Sequence, residues 1–238
     1  MTKPFALATI TPSGNRVVER VVQAMLRDLP DASAHFTRIP VVGDTGGVAG
    51  YDMARMLDAA TLLSHAQPDV VSWNGTKGGA LGFDVDRALC GEMTAATGLP
   101  SSTSALAILD ALALLKARTI ALVTPYDAAY QAKCIAAFAA KGYPTVAERG
   151  SGLLDNFAYG LVPGGDIATM TRAAIGERRP DAVVYFCTNF GGAEVAAEIE
   201  AACDVPVLDS TALGVWGALR AAGRSTIPLA HWGRIFAL

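Results

Sequence analysis

Apolar positions along this chain fall into short continuous runs separated by longer segments of helical periodicity. Runs rich in Val, Ile, Leu and Ala at 5–10, 34–39, 69–74, 119–124, 182–187 and 205–208 predict buried strands, with weaker runs at 99–102 and 144–147. Between them the pattern predicts helices over 15–28, 49–66, 83–97, 104–116, 127–141, 164–178, 192–203 and 211–222. Strands followed within a few residues by helices are the mark of right-handed βαβ units and a parallel sheet. Two stretches punctuate the chain alike: Gly98-Leu99-Pro100 and Asp204-Val205-Pro206 each close a helix and open a short strand that leads into Ser/Thr and another helix. The expected organisation is therefore two similar α/β halves. Residues 1–100 together with 211–238 form a first lobe, and 101–210 form a second.

Two strands end in the same kind of Gly-flanked polar turn. One is Val70-Val71-Ser72-Trp73-Asn74-Gly75-Thr76-Lys77-Gly78-Gly79, and the other is Val183-Val184-Tyr185-Phe186-Cys187-Thr188-Asn189-Phe190-Gly191-Gly192. Ligands of parallel sheets collect outside the carboxyl ends of strands, so two such ends predict two lobes facing one site. Only one of the ends carries a thiol. A third Gly-rich stretch, Gly43 to Gly50, fits neither GxGxxG nor the P-loop pattern and follows the second strand, so it reads as a flap over a pocket.

Composition narrows the function. Half the 238 residues (52%) are hydrophobic, enough for a sizeable core, yet no run of about 18 is free of charged or turn residues. The start, Met1-Thr2-Lys3-Pro4, runs directly into the strand-like Phe5–Ile10 without the pattern of a signal peptide. A cytoplasmic protein with no membrane partner is expected, as a monomer or small homo-oligomer. A net charge of −3 without a basic tract argues against nucleic acid. With three His and no CxxC among Cys90, Cys134, Cys187 and Cys203, no metal site is expected. Cys90, Cys134 and Cys203 lie in Ala/Leu-rich helical contexts, where a thiol packs as a small hydrophobe. Cys187 instead lies at a strand end before a helix, and a helix N-terminus would lower its pKa.

Several segments resemble members of the Asp/Glu racemase superfamily. Pro12-Ser13-Gly14-Asn15 with Glu19 is similar to the Pro-Ser-x-Asn-x-x-x-Glu opening of maleate cis-trans isomerases, and His35–Val41 to their second strand. Asp155-Asn156-Phe157 and Cys187-Thr188-Asn189 resemble two later motifs of the same enzymes. Gly50-Tyr51-Asp52, Ala96–Pro100, Tyr126 and Trp232–Phe236 resemble the related arylmalonate decarboxylases. The resemblance implies two Rossmann-like lobes with parallel sheets related by pseudo-twofold symmetry, and an active site in the cleft between them. Racemases and maleate isomerases of this superfamily use one Cys from each lobe. Here the first-Cys position falls on Gly75, as it does in arylmalonate decarboxylases, which keep only the second Cys. Those enzymes carry Gly-Gly after that Cys and usually Ser at the position of Lys77, so this chain mixes the two patterns.

Racemisation needs acid and base on opposite faces of one carbon, and covalent isomerisation needs a first thiolate. Gly75 supplies neither. Decarboxylation needs less: donors around an enediolate, and one acid to protonate carbon from one face. Cys187 is the candidate acid. Thr76, Tyr126 and backbone N–H groups near Thr188 are candidates for the hole around the retained carboxylate of a small carboxylate substrate. Asn15, Asn156 and Asn189 add neutral donors, and Lys77 a charge partner. Pro12, Ser13 and Gly75 belong to the same turns. No metal or organic cofactor is required. Each residue also has a purely structural reading: Ser13 and Asn15 as helix caps, Tyr126 and Asn156 as turn residues, Lys77 as a solvated lysine, Arg38 as an ion-pair former. Single-thiol decarboxylation of a malonate-like diacid is the leading expectation. The alternatives are isomerisation or racemisation of a small carboxylate, hydrolysis of a small amide or imide with Cys187 as nucleophile, and a non-catalytic binding cleft.

Overall fold

A computed structural model describes residues 3–40 and 51–238. The Gly43–Gly50 segment read as a flap lies outside the described residues. The first sheet is built from β1 (Phe5–Pro12), β2 (Ala32–Ile39), β3 (Val70–Trp73) and β4 (Ser101–Thr103), in the order β2-β1-β3-β4. The second contains β5 (Ile120–Tyr126), β6 (Thr145–Leu153), β7 (Ala182–Tyr185) and β8 (Val207–Asp209), in the order β6-β5-β7-β8. Both orders are the same walk through consecutive strands, and every pairing is parallel. This is the two-lobed α/β architecture that the alternating pattern and the resemblance both imply. The central strands β1, β3, β5 and β7 are buried almost throughout, which is why they read as unbroken apolar runs.

The helices between them are α1 (Val18–Leu26), α2 (Met53–Ser64), α3 (Gly78–Leu81), α4 (Asp84–Thr97), α5 (Ser104–Leu114), α6 (Ala128–Ala140), α7 (Asn156–Tyr159), α8 (Gly164–Glu177), α9 (Ala193–Cys203) and α10 (Ser210–Ala221). Two 3₁₀ segments, Ile227–Trp232 and Arg234–Ala237, follow. In α1, Val18, Val21, Val22, Met25 and Leu26 form one buried stripe at helical spacing. The short helices α3 and α7 were not among the expected elements, because four residues are too few to show a period. The second lobe's edge strand β6 runs well past the expected 144–147, reaching Leu153. Its burial there is mixed and polar, so no apolar run marked it.

Helices α5 and α10 are buried on nearly every face and pack against each other in the middle of the molecule. Each starts directly from a strand. Thr103 caps α5 by accepting from the Leu106 N–H at 3.1 Å, and Asp209 caps α10 by accepting from the Thr211 and Ala212 N–H groups at 2.9 and 3.0 Å. Their close approach requires Gly in α10. A Cβ at Gly217 would lie 2.7 Å from the Ala107 Cβ, and one at Gly214 would lie 2.3 Å from Asn74 Nδ2. One continuous core therefore runs through both sheets, while a smaller cluster around Ile10, Met56, Trp73 and Met93 fills the outer face of the first. The tail closes over α9: Glu200 accepts from the backbone N–H of Val207 and of Arg234, at 2.8 and 2.7 Å.

Candidate active site

The carboxyl ends of β1, β3, β5 and β7 converge on one cavity. Its floor and walls include Pro12 and Asn15 after β1, Thr76 and Lys77 after β3, and Tyr126 at the end of β5. Cys187, Thr188 and Asn189 after β7 complete them, with Asn156 reaching in from α7. These are nine of the eleven residues singled out from sequence. Neither of the other two lines the cavity: Gly75 is buried, and Ser13 is exposed, its N–H donating to Ile39 O at 2.8 Å. Trp73, Tyr130, Leu154 and Tyr159 also line the cavity and were not singled out individually from the sequence. Their signal was local spacing: Tyr130 follows Tyr126 by four residues, Tyr159 follows Asn156 by three, and Trp73 precedes Gly75 by two.

Sheet register shows how the two polar turns correspond. Trp73 ends β3 opposite Thr103, which caps α5, and Tyr185 ends β7 opposite Asp209, which caps α10. Trp73 and Tyr185 are therefore equivalent, and two residues further on so are Gly75 and Cys187. The matched Val-Val to Gly-Gly spacing in the sequence is one residue out of this register.

The Cys187 thiol is 4% exposed. The Tyr126 hydroxyl and the Asn189 backbone N–H favour its ionised form. Burial nevertheless dominates and pushes it up to about 12, with Asp209 adding to the rise. This reverses the expectation of a helix-activated thiolate. Helix α9 begins at Ala193, six residues on, too far for its N-terminal field to act within one turn. Tyr126 is itself buried, and burial raises its hydroxyl well above its usual value, so it remains a proton donor. Its ring stands 4.5 Å from the Tyr130 centroid and 5.4 Å from that of Tyr159, and its hydroxyl lies 3.5 Å from Thr76 Oγ1.

The asparagines tie the lobes together. Asn15 Oδ1 accepts from the Val17 and Val18 N–H groups, both at 2.8 Å, while its Nδ2 donates to Thr188 Oγ1 at 3.2 Å. Capping and site-building are thus one role. Asn189 Oδ1 accepts from the Arg16 N–H at 2.9 Å, and its Nδ2 donates to the Asn156 carbonyl. Arg38 is structural: it pairs with Glu19 at 2.9 Å and donates to the Ser13 and Asn15 carbonyls, holding the first turn. Lys77, half-buried at the start of α3, faces the cavity without an ion-pair partner among the described residues. Among those residues no group of three or more His, Cys, Asp or Glu side chains gathers to hold a metal. No helix among them is long and apolar enough to cross a membrane.

Behind the β3 turn lies a second polar cluster. The Tyr51 hydroxyl accepts from Trp73 Nε1 at 3.1 Å and from the Gly78 N–H at 3.0 Å, and donates to Asp86 Oδ1 at 3.2 Å. Burial raises the Asp86 carboxyl to about 7.

Among the described residues one thiol, Cys187, lines this cavity, beside hydroxyl, amide and ammonium groups. The family model for arylmalonate decarboxylase matches residues 47–236, and the chain belongs to that family. An arylmalonate decarboxylase of Bordetella bronchiseptica is 30% identical over 194 residues, covering 79% of this chain and 80% of its own. A maleate isomerase of Nocardia farcinica (strain IFM 10152) is 26% identical over 226 residues, covering 90% and 88%. The crystal structure of the maleate isomerase of Pseudomonas putida S16 superposes with a TM-score of 0.87 over 98% of both chains at 21% identity, which establishes the shared fold.

Proposed function

We propose that this chain is a cofactor-independent decarboxylase of a malonate-like diacid, with Cys187 as the sole proton donor to carbon. The observation that carries this reading is the unequal pair at positions 75 and 187. The equivalent strand ends hold one thiol and one glycine, and the thiol is kept protonated by burial. A protonated thiol is suited to give a proton and poorly suited to attack. The retained carboxylate would sit against Thr76, the Tyr126 hydroxyl and the Lys77 ammonium. Loss of CO2 leaves the C–C electron pair in an enediolate, whose charge those fixed donors meet. Cys187 then delivers its proton to carbon from one face, and solvent returns a proton to the thiolate. The walls of Tyr130, Tyr159 and Leu154 suit an apolar substituent on the central carbon.

One observation favours a second reading. Thr188 and Asn189 follow the thiol as in the maleate isomerase pattern, and Lys77 places an amine on the opposite turn. Incubation with 2-substituted malonates and with maleate, followed by product analysis, separates the two. CO2 release from a malonate supports the decarboxylase. Fumarate from maleate without CO2 release from any malonate replaces it with the isomerase.

A further inference from the structure

We propose that Trp73 is the specificity-determining residue of this site: its indole fills the corner where an acid–base side chain at position 75 would stand, so a proton reaches substrate carbon only from the Cys187 side. This rests on the reading above of Cys187 as proton donor. A Cβ built on Gly75 falls 2.3 Å from both Cε2 and Cζ2 of Trp73 and 2.8 Å from its Nε1. Carbon atoms in contact prefer roughly 3.5–4.0 Å, so the ring must move by more than 1 Å, order of magnitude, before any side chain fits.

That ring is not free to move. Trp73 is 1% exposed and packs edge-on against Tyr51, with ring centroids 5.9 Å apart and planes at 81°. Its Nε1 donates to the Tyr51 hydroxyl, which also accepts from Gly78 N–H and donates to Asp86. Asp86 is in turn wedged against the same turn: a Cβ on Gly78 would lie 1.4 Å from Asp86 Oδ2. The intervening Asn74 does not serve as a substitute acid or base, because its amide is turned away from the cavity, donating to Thr211 O at 3.2 Å and accepting from Ser104 Oγ at 3.1 Å. In the other lobe, Cys187 in the equivalent position lines the cavity. The absence of a second thiol is therefore built into positions 73 and 75 together, and restoring Cys at 75 alone is not sufficient.

Four chains test this: the parent, Gly75→Cys, Trp73→Leu and the double variant. The first readout needs no substrate. Urea denaturation should show Gly75→Cys destabilised, and adding Trp73→Leu should recover part of the loss, although Trp73→Leu destabilises the parent. A Gly75→Cys chain that accumulates only when Trp73→Leu is added reads the same way. A Gly75→Cys chain as stable as the parent, or one that Trp73→Leu makes worse, overturns the inference. The second readout is racemisation of an enantiopure 2-arylpropionate. There one thiolate takes the α-proton while the thiol on the other face donates one, with no net change in protons or electrons. The double variant should racemise about 10²-fold faster than Gly75→Cys. Equal rates in the two, or no racemisation by a double variant whose parent decarboxylates malonates, overturns it. Decarboxylation by the parent is scored separately. If the parent releases no CO2 while the stability coupling and the racemisation appear, the function proposed above falls and the role of Trp73 stands.

Discussion

The β3 and β7 ends begin from the same sheet register and finish as different chemical tools. After β7 the chain turns a thiol into the cavity and seats it against Tyr126 and a backbone N–H. After β3 the chain has no side chain at the matching position, fills the corner with the Trp73 indole, and offers the Lys77 ammonium two residues later. Under the proposed function, two copies of one backbone device yield a proton donor on one face and an anion holder on the other. A pseudo-symmetric fold fixes where two functional groups can stand, but the residues at those places decide whether the site works from both faces or one.

The largest expected effect comes from removing the donor. Cys187→Ala should lower kcat by about 10²–10⁴ with the fold intact, as steady-state rates and circular dichroism would show. Unchanged turnover would make the two ends chemically equal and remove the basis of the comparison. On the other end, Lys77→Met should raise KM by about 10- to 100-fold, because a charged hydrogen bond contributes roughly 1.5–3 kcal/mol. A collapse of kcat at constant KM would instead put Lys77 among the groups that act in the transition state.

Smaller effects probe what holds the β3 end in place. Tyr51→Phe leaves Trp73 Nε1 and the Gly78 N–H without their acceptor, so it should destabilise by about 1–3 kcal/mol in urea titration. Asp86 gives a pH signature. Its folded-state pKa is raised to about 7 by burial, so between the unfolded value near 4 and 7 the folded chain holds a proton that the unfolded chain releases. Its contribution is therefore complete at low pH and is lost as pH rises towards 7. Asp86→Asn should remove about one proton's worth of that slope, measured as the midpoint of urea unfolding against pH.

The fold was legible because both central strand pairs are buried on two faces and so wrote themselves as Val/Ile/Leu runs, with helices between them. What escaped was short or polar. Helices α3 and α7 have four residues each, and the far half of β6 is half-exposed. For the site, Cys187, Lys77 and the Asn residues stood out as chemistry-bearing types in Gly-flanked turns. Trp73, Tyr130 and Tyr159 did not, since aromatic residues beside strands and helices read as core. The upward shift of the Cys187 thiol was not legible because sequence showed an approaching helix but not the depth of burial. Nor did it show the six-residue gap before α9. The register of the two turns also needed the sheets: the repeated Val-Val and Gly-Gly pairs suggest one alignment, and the pairing of Trp73 with Thr103 and Tyr185 with Asp209 imposes another.

The central claim is that one protonated thiol serves one face of the substrate carbon. It is tested most directly by decarboxylating a prochiral 2-methyl-2-arylmalonate in deuterated water from pH 6 to 10. Because burial pushes the Cys187 thiol up to about 12, loss of its proton should not depress the rate in that range, and a single deuterium should enter one enantiomer, with no exchange in the isolated product. A rate that climbs as a thiolate forms, a racemic product, or deuterium washing into added product would contradict it.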